Sequence, residues 1–214
     1  MSGSKPHGLA DHGLDRGFFD VVLAQRACRR FAPDPVPVVD LERILTAATH
    51  APSAENTQPW VFVVVTDAER RAAIGALARE LWEGTARAYA EPHLPTTMLA
   101  EIDASMNESF GGAPVIVIVA GDHEAGGHPK ALPASILPCA QNLLLAANAL
   151  GYGSALTTLT ALVGDRLRAI VDLPASIEPM VIIPIGRPAK PLGPPRRRPI
   201  GELAHLDTYG AHLT

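Results

Sequence analysis

Apolar residues recur at helical spacing near the start of the chain, at Phe18, Phe19, Val22 and Leu23, and the pattern stops at the polar cluster 25–30. The stretch Phe31-Ala-Pro-Asp-Pro-Val-Pro cannot extend that helix, because each proline drives its predecessor into an extended conformation. A second helix is predicted over 38–50, with Leu41, Ile44, Leu45 and Ala48 on one face. Residues 51–60 read as a structured loop feeding a strand at 61–65, and Asp67 is placed to cap a helix over 68–81. The region 82–110 is less regular, with helical pieces broken at Pro92 and Pro95. Gly111-Gly-Ala-Pro then opens a strand at 115–120, followed by a loop over 121–133. The helix at 135–150 aligns Ile136, Ala140, Leu143, Leu144, Ala147 and Leu150 before Gly151 stops it. Its alanines predict close packing on a neighbour, with a second subunit as the expected partner. A helix near 165–171, a strand at 180–185 and an extended Pro/Arg-rich tail from Gly186 complete the pattern.

Helices outnumber strands, and Gly151-Tyr-Gly-Ser follows a helix rather than a strand, so it fails as a dinucleotide fingerprint. The expectation is one α+β domain over 17–214 behind a flexible, polar arm at 1–16. Hydrophobic residues make up 47% of the chain, too much apolar surface to leave disordered. Eighteen Lys and Arg against 22 Asp and Glu leave no overall attraction for nucleic acid or anionic lipid. Any phosphate must be met locally. No apolar run is long enough to span a bilayer, and the N-terminus lacks a signal pattern, which points to a cytoplasmic protein. Two cysteines cannot build a zinc site or a disulfide framework.

Three clusters could carry chemistry. Arg26-Ala27-Cys28-Arg29-Arg30 would fall in the last turn of the first helix, either complementing its dipole or offering guanidinium forks to a phosphate. Pro52 to Trp60 sets Ser53, Asn56 and Gln58 just outside a strand, where they either turn the chain or read a planar polar ligand. Arg196, Arg197 and Arg198 form a solvated basic run, or share an anion with the first cluster. Cys28 sits beside arginines that would lower its pKa and make it reactive, whereas Cys139 lies on an apolar helix and reads as packed. His123, Glu124 and His128 occupy a Gly-rich loop with no metal-site spacing.

Together these clusters resemble the FMN-dependent nitroreductase family. Its Arg-Arg-Ser-x-Arg-x-Phe motif is matched by Gln25-Arg26-Ala27-Cys28-Arg29-Arg30-Phe31, and its Pro-Ser-x-x-Asn-x-Gln-Pro-Trp loop by Pro52 to Trp60 at every fixed position. Leu150-Gly151 through Leu156-Thr157-Thr158, then Gly186-Arg187-Pro188 and the basic-Pro tail, follow in the family's order. The resemblance implies a central, mostly antiparallel sheet wrapped by helices, in a homodimer with exchanged C-terminal tails and FMN bound in the interface. Arg26 and Arg29 would hold the phosphate, helped by Ala27, Cys28 and Arg30 of the same motif. Ala27 stands where the family usually has Ser, which removes one hydroxyl contact. Pro52, Ser53, Ala54, Asn56 and Gln58 would line the flavin of the second subunit, and Leu156, Thr157 and Thr158 its isoalloxazine edge. Arg197 or Arg198 would close the phosphate site. The implied activity is ping-pong hydride transfer from NAD(P)H through FMN to an electron-poor small molecule such as a nitroaromatic or quinone. No side chain need act as nucleophile or general acid. The family places a substrate lid where Trp82, Tyr89 and Phe110 stand, although core filling would equally account for these aromatics. A deiodinase-like branch grips a zwitterion with Glu, Tyr and Lys from that lid. Here Glu83 and Tyr89 are present, and Arg87 would replace the lysine. Flavin-consuming and azoline-oxidising branches of the same superfamily, a non-catalytic FMN-binding protein and an unrelated α+β ligand-binding domain are the remaining alternatives.

Overall fold

The computed structural model describes residues 16–213; apart from Arg16, the arm predicted over 1–16 lies outside the described residues. Four strands, β1 (Trp60–Val65), β2 (Val115–Asp122), β3 (Gly153–Ser154) and β4 (Ile177–Gly186), form one sheet in the order β1-β2-β4-β3. Every neighbouring pair is antiparallel. Along β2, Val115, Val117 and Val119 enter a core with helices α2 (Val38–Ala48) and α6 (Leu132–Ala149). Ile116 and Ile118 point the other way, into a core with α3 (Ala68–Leu81) and α7 (Thr160–Val171). Both faces are covered, so the strand reads as an unbroken apolar run instead of alternating with polar residues.

Asp67 caps α3 as its position predicts, its carboxylate accepting the Arg70 N–H at 2.8 Å. Beyond α3 the chain does not break at once. It continues through a π-helical turn, Trp82–Ala86, into α4 (Arg87–Ala90), and only then passes Pro92 and Pro95 to α5 (Thr96–Asn107). Trp82 and Phe110 are core residues, while Tyr89 is exposed. The predicted loop at 121–133 shortens at both ends, because β2 runs to Asp122 and α6 starts at Leu132. Pro133 suits the first turn of α6, where its missing N–H costs nothing, but Pro138 lies inside the helix and removes one ladder bond.

The expected role of α6 needs correction. Ile136, Ala140, Leu143 and Ala147 have no accessible surface within a single chain. They pack with Leu41, Ile44 and Ala48 of α2 in the same core. The alanines do allow a close helix–helix approach, but the partner is α2 of the same subunit. Leu137 is exposed on α6, but more exposed apolar surface lies elsewhere. On α1 (Phe18–Ala24) only Val21 is buried, and Phe18, Phe19 and Leu23 are all about two-thirds exposed or more. The tail exposes Ile200, Leu206 and Tyr209.

Candidate functional site

α1 ends at Ala24, and Gln25 turns extended (φ −61°, ψ 126°). Arg26, Ala27, Cys28, Arg29 and Arg30 therefore do not complement a helix dipole. They form an extended segment laid against the sheet edge. The Cys28 N–H donates to the Ser154 carbonyl (2.9 Å), the Phe31 N–H to Gly111 (2.9 Å) and the Ala32 N–H to Arg187 (2.8 Å), while the Arg30 carbonyl accepts from Ala189 (3.0 Å). Two glycines permit this approach. A Cβ at Gly111, whose φ is +66°, would meet the Arg29 carbonyl, and one at Gly153 would meet Cys28 Cβ at 2.7 Å and Pro188 Cγ at 3.1 Å. Cys28 is thus a packing residue. Burial pushes its thiol pKa up, outweighing the opposing pull of Arg29 and Arg26, so the expected reactive thiolate is not formed here.

The segment is braced from below. Tyr152, buried, donates its hydroxyl to Asp40 Oδ2 at 2.6 Å, and the Arg187 guanidinium sits 5.1 Å over its ring.

The guanidinium groups fan out from this backbone. Arg26, Arg29 and Arg30 line one cavity with Glu101 and Lys190, and Arg26 and Arg29 line an adjoining one with Arg196 and Arg197. Arg26 donates to the Gly193 carbonyl (3.1 Å), Arg29 pairs with Glu101 (3.7 Å), and Arg30 pairs with Glu108 (3.5 Å). The tail, expected to cross to another subunit from Gly186, instead follows its own arginine segment at least through Arg197. Of the two arginines expected to close the site, Arg197 lies at the cavity and Arg198 turns to Glu202 (3.1 Å). Lys190 is an addition that sequence reasoning missed, and Arg196, read there as part of the basic run, lies at the cavity beside Arg197. Lys190 falls four residues past Gly186, where only the tail's return along residue 30 could reveal it.

The second cluster is rigid but distant. The Ser53 hydroxyl accepts the Gln58 N–H (3.1 Å), the Ala54 N–H donates to Ser135 Oγ (3.2 Å), and a 3-10 turn covers Ala54–Asn56. Glu55, Asn56 and Gln58 all hold positive φ (54°, 57° and 48°), a strained arrangement for non-glycine residues. Pro52 enters this turn exposed. The loop leads into Trp60, which pairs with Gly121 near the far end of β2, whereas the arginine segment binds Gly111, before β2 begins. Eight residues of strand, roughly 25 Å, separate the two clusters, and Ala54 and Thr57 line a different cavity from the arginines. Leu156, Thr157 and Thr158 lie between these extremes, half-buried to exposed, with Thr157 bridging Ile182 in the middle of β4.

His123 is taken up by Glu178 (Nε2 to Oε2, 2.7 Å), and among the described residues no three metal-ligating side chains converge. Among those residues no helix is long and apolar enough to cross a membrane. The donor set fits a phosphate-bearing ligand: several planar, permanently charged forks line two adjoining cavities beside the sheet edge.

This architecture has known counterparts. The chain is 32% identical to an NADH dehydrogenase of Thermus thermophilus, over 83% of this chain and 90% of that one. It is 26% identical to iodotyrosine deiodinase 1 of Rattus norvegicus over 81% of its length, and spans 62% of that relative. A Desulfovibrio desulfuricans structure described as a nitroreductase in complex with FMN superimposes with a TM-score of 0.70 at 26% identity, covering 91% of this chain and 98% of the other. Residues 22–187, from α1 through the Arg187 that follows the last strand, match the nitroreductase family, and the chain belongs to it.

Proposed function

We propose that this chain, one domain from residue 17 onward, is an FMN-dependent oxidoreductase. It would pass a hydride from NAD(P)H to an electron-poor acceptor such as a nitroaromatic or a quinone, in a ping-pong cycle. The observation that carries the reading is the convergence of Arg26, Arg29, Arg196 and Arg197 on adjoining cavities at the sheet edge. Arg26 and Arg29 hold the phosphate and Arg197 closes over it, with Ala27, Cys28 and Arg30 contributing the backbone that fixes them. Leu156, Thr157 and Thr158 lie along the isoalloxazine edge. When bound, FMN supplies the two-electron chemistry that no side chain here provides.

The chain works as a homodimer in this reading. Because Pro52, Ser53, Ala54, Asn56 and Gln58 sit at the opposite end of β2 from the arginines, they serve the flavin of the second copy. The exposed Phe18, Phe19 and Leu23 of α1 and the apolar residues of the tail supply the joining surface. A deiodinase-like activity is less well supported. Arg87, the cation that would grip a zwitterion, is spent on Asp103 (3.1 Å) and Glu91 (3.6 Å). The test is direct: purified protein is yellow and bleaches when NADH or NADPH is added anaerobically, and a nitroaromatic or quinone restores the colour. Colourless protein, or yellow protein inert to both nucleotides, rejects the oxidoreductase reading.

A further inference from the structure

The cavity beneath the arginine segment is walled on one side by α5. Thr97, Ala100, Glu101 and Ala104 occupy one helical face of α5, at spacings of three and four residues. Three of these side chains are small and uncharged. The fourth is Glu101, among the described residues the only carboxylate lining a cavity that otherwise presents Arg26, Arg29, Arg30 and Lys190. Its Oε2 lies 3.7 Å from Arg29 Nη1. The Arg29 side chain is only 24% exposed, so water screens this contact less than the Arg30–Glu108 pair, where the arginine is 59% exposed. Arg26 is met differently, by the neutral carbonyl of Gly193.

We propose that Glu101 is an internal rival of the cofactor phosphate: it holds the Arg29 guanidinium that the phosphate also needs, and so sets the affinity for FMN and couples its binding to α5. This rests on the FMN reading above. An incoming phosphate either shares Arg29 with a carboxylate of its own sign or displaces it. Both cost binding free energy, and both tie the seating of α5 to the filling of the clamp. The cost falls on the phosphate alone. A flavin without phosphate has no reason to compete with Glu101.

The experiment compares wild-type protein with Glu101→Gln, an isosteric change at a half-exposed position that leaves the fold intact. Each is titrated with FMN and, separately, with riboflavin, binding being followed by quenching of flavin fluorescence. Glu101→Gln is expected to tighten FMN roughly two- to fivefold, the range of a partly exposed ion pair, and to leave riboflavin unchanged. Equal tightening of both flavins, or no change in FMN affinity, overturns the proposal while leaving the FMN assignment standing. Wild-type protein that binds neither flavin overturns the assignment, and the proposal with it.

Discussion

Gly111 and the Arg29 carbonyl are in such close contact that a Cβ on the glycine would lie 1.9 Å from the oxygen. No rotamer change relieves that clash, because the oxygen is backbone and the backbone alone fixes where a Cβ stands. The glycine also holds φ at +66° and accepts the Phe31 N–H. The turn before β2 and the arginine segment therefore fix one another.

Gly111→Ala is expected to push the Arg29 backbone outward and to impose left-handed strain. The loss should be at least about 2 kcal/mol of stability, together with weaker flavin binding. Urea unfolding and a flavin titration on the same preparation check both effects. Unchanged affinity would show that the segment's position does not matter to the ligand.

Replacing Arg26 and Arg29 together by Ala removes two charged donors while leaving the backbone bonds of the segment in place. Each lost charge-assisted bond costs about 1.5–3 kcal/mol, so FMN affinity should fall by at least about a hundredfold in a folded protein. Equilibrium dialysis measures it. Full occupancy after dialysis would remove these arginines from the site.

Helix and strand periods were readable where burial is one-sided or complete, as at Asp67–Leu81 and along β2. What the period could not tell was which surface covers a stripe. Ala140 and Ala147 marked a close contact correctly, but both the chain's own α2 and a second subunit satisfied the pattern. β3 escaped notice because two residues, Gly153 and Ser154, have no period. Its bond to Cys28 is what draws the arginines out of helical geometry. The π-helical turn at Trp82–Ala86 left no mark in composition either. Within the site, the residue types of the two motifs were legible, whereas Glu101 and Lys190 were not, since only the packing of α5 and the tail brings them to the cavity.

The dimer prediction moves accordingly from α6 to α1. Ala147→Glu would bury a charge in a core with no accessible space and is expected to abolish folding. Phe19→Glu changes a side chain 74% exposed in one chain, so the subunit should fold yet sediment as a monomer and lose its flavin. Sedimentation read at protein and flavin wavelengths together tests this. A monomer with full flavin would show that one chain builds the whole site.

Stability should fall in alkali. Burial, reinforced by the Asp40 carboxylate, pushes the Tyr152 pKa from 10.0 up to about 12, and burial pushes Cys139 from 9.0 up to about 12. The folded chain keeps both protons where the unfolded chain has lost them. This contribution is intact below about pH 9 and disappears as pH rises towards 12, at up to about 1.4 kcal/mol per unit for each group. Tyr152→Phe should lower neutral-pH stability by about 1.5 kcal/mol through the lost bond to Asp40, and should flatten the decline above pH 10. Urea midpoints across this range, for both proteins, give the comparison. Parallel curves would place the titration elsewhere.

The distance along β2 between the arginines and the Ser53–Gln58 loop has a genetic consequence. If each flavin site takes its arginines from one chain and its loop from the other, the two halves are separate alleles of one function. A chain without Arg26 and Arg29 still donates a sound loop, and a chain with a ruined loop still donates sound arginines. Each is inactive with its own kind, yet the two together assemble one complete site per mixed pair. Two null mutations in this gene can therefore restore activity when they meet in the same cell, and which pairs do so maps the half of the site that each residue serves.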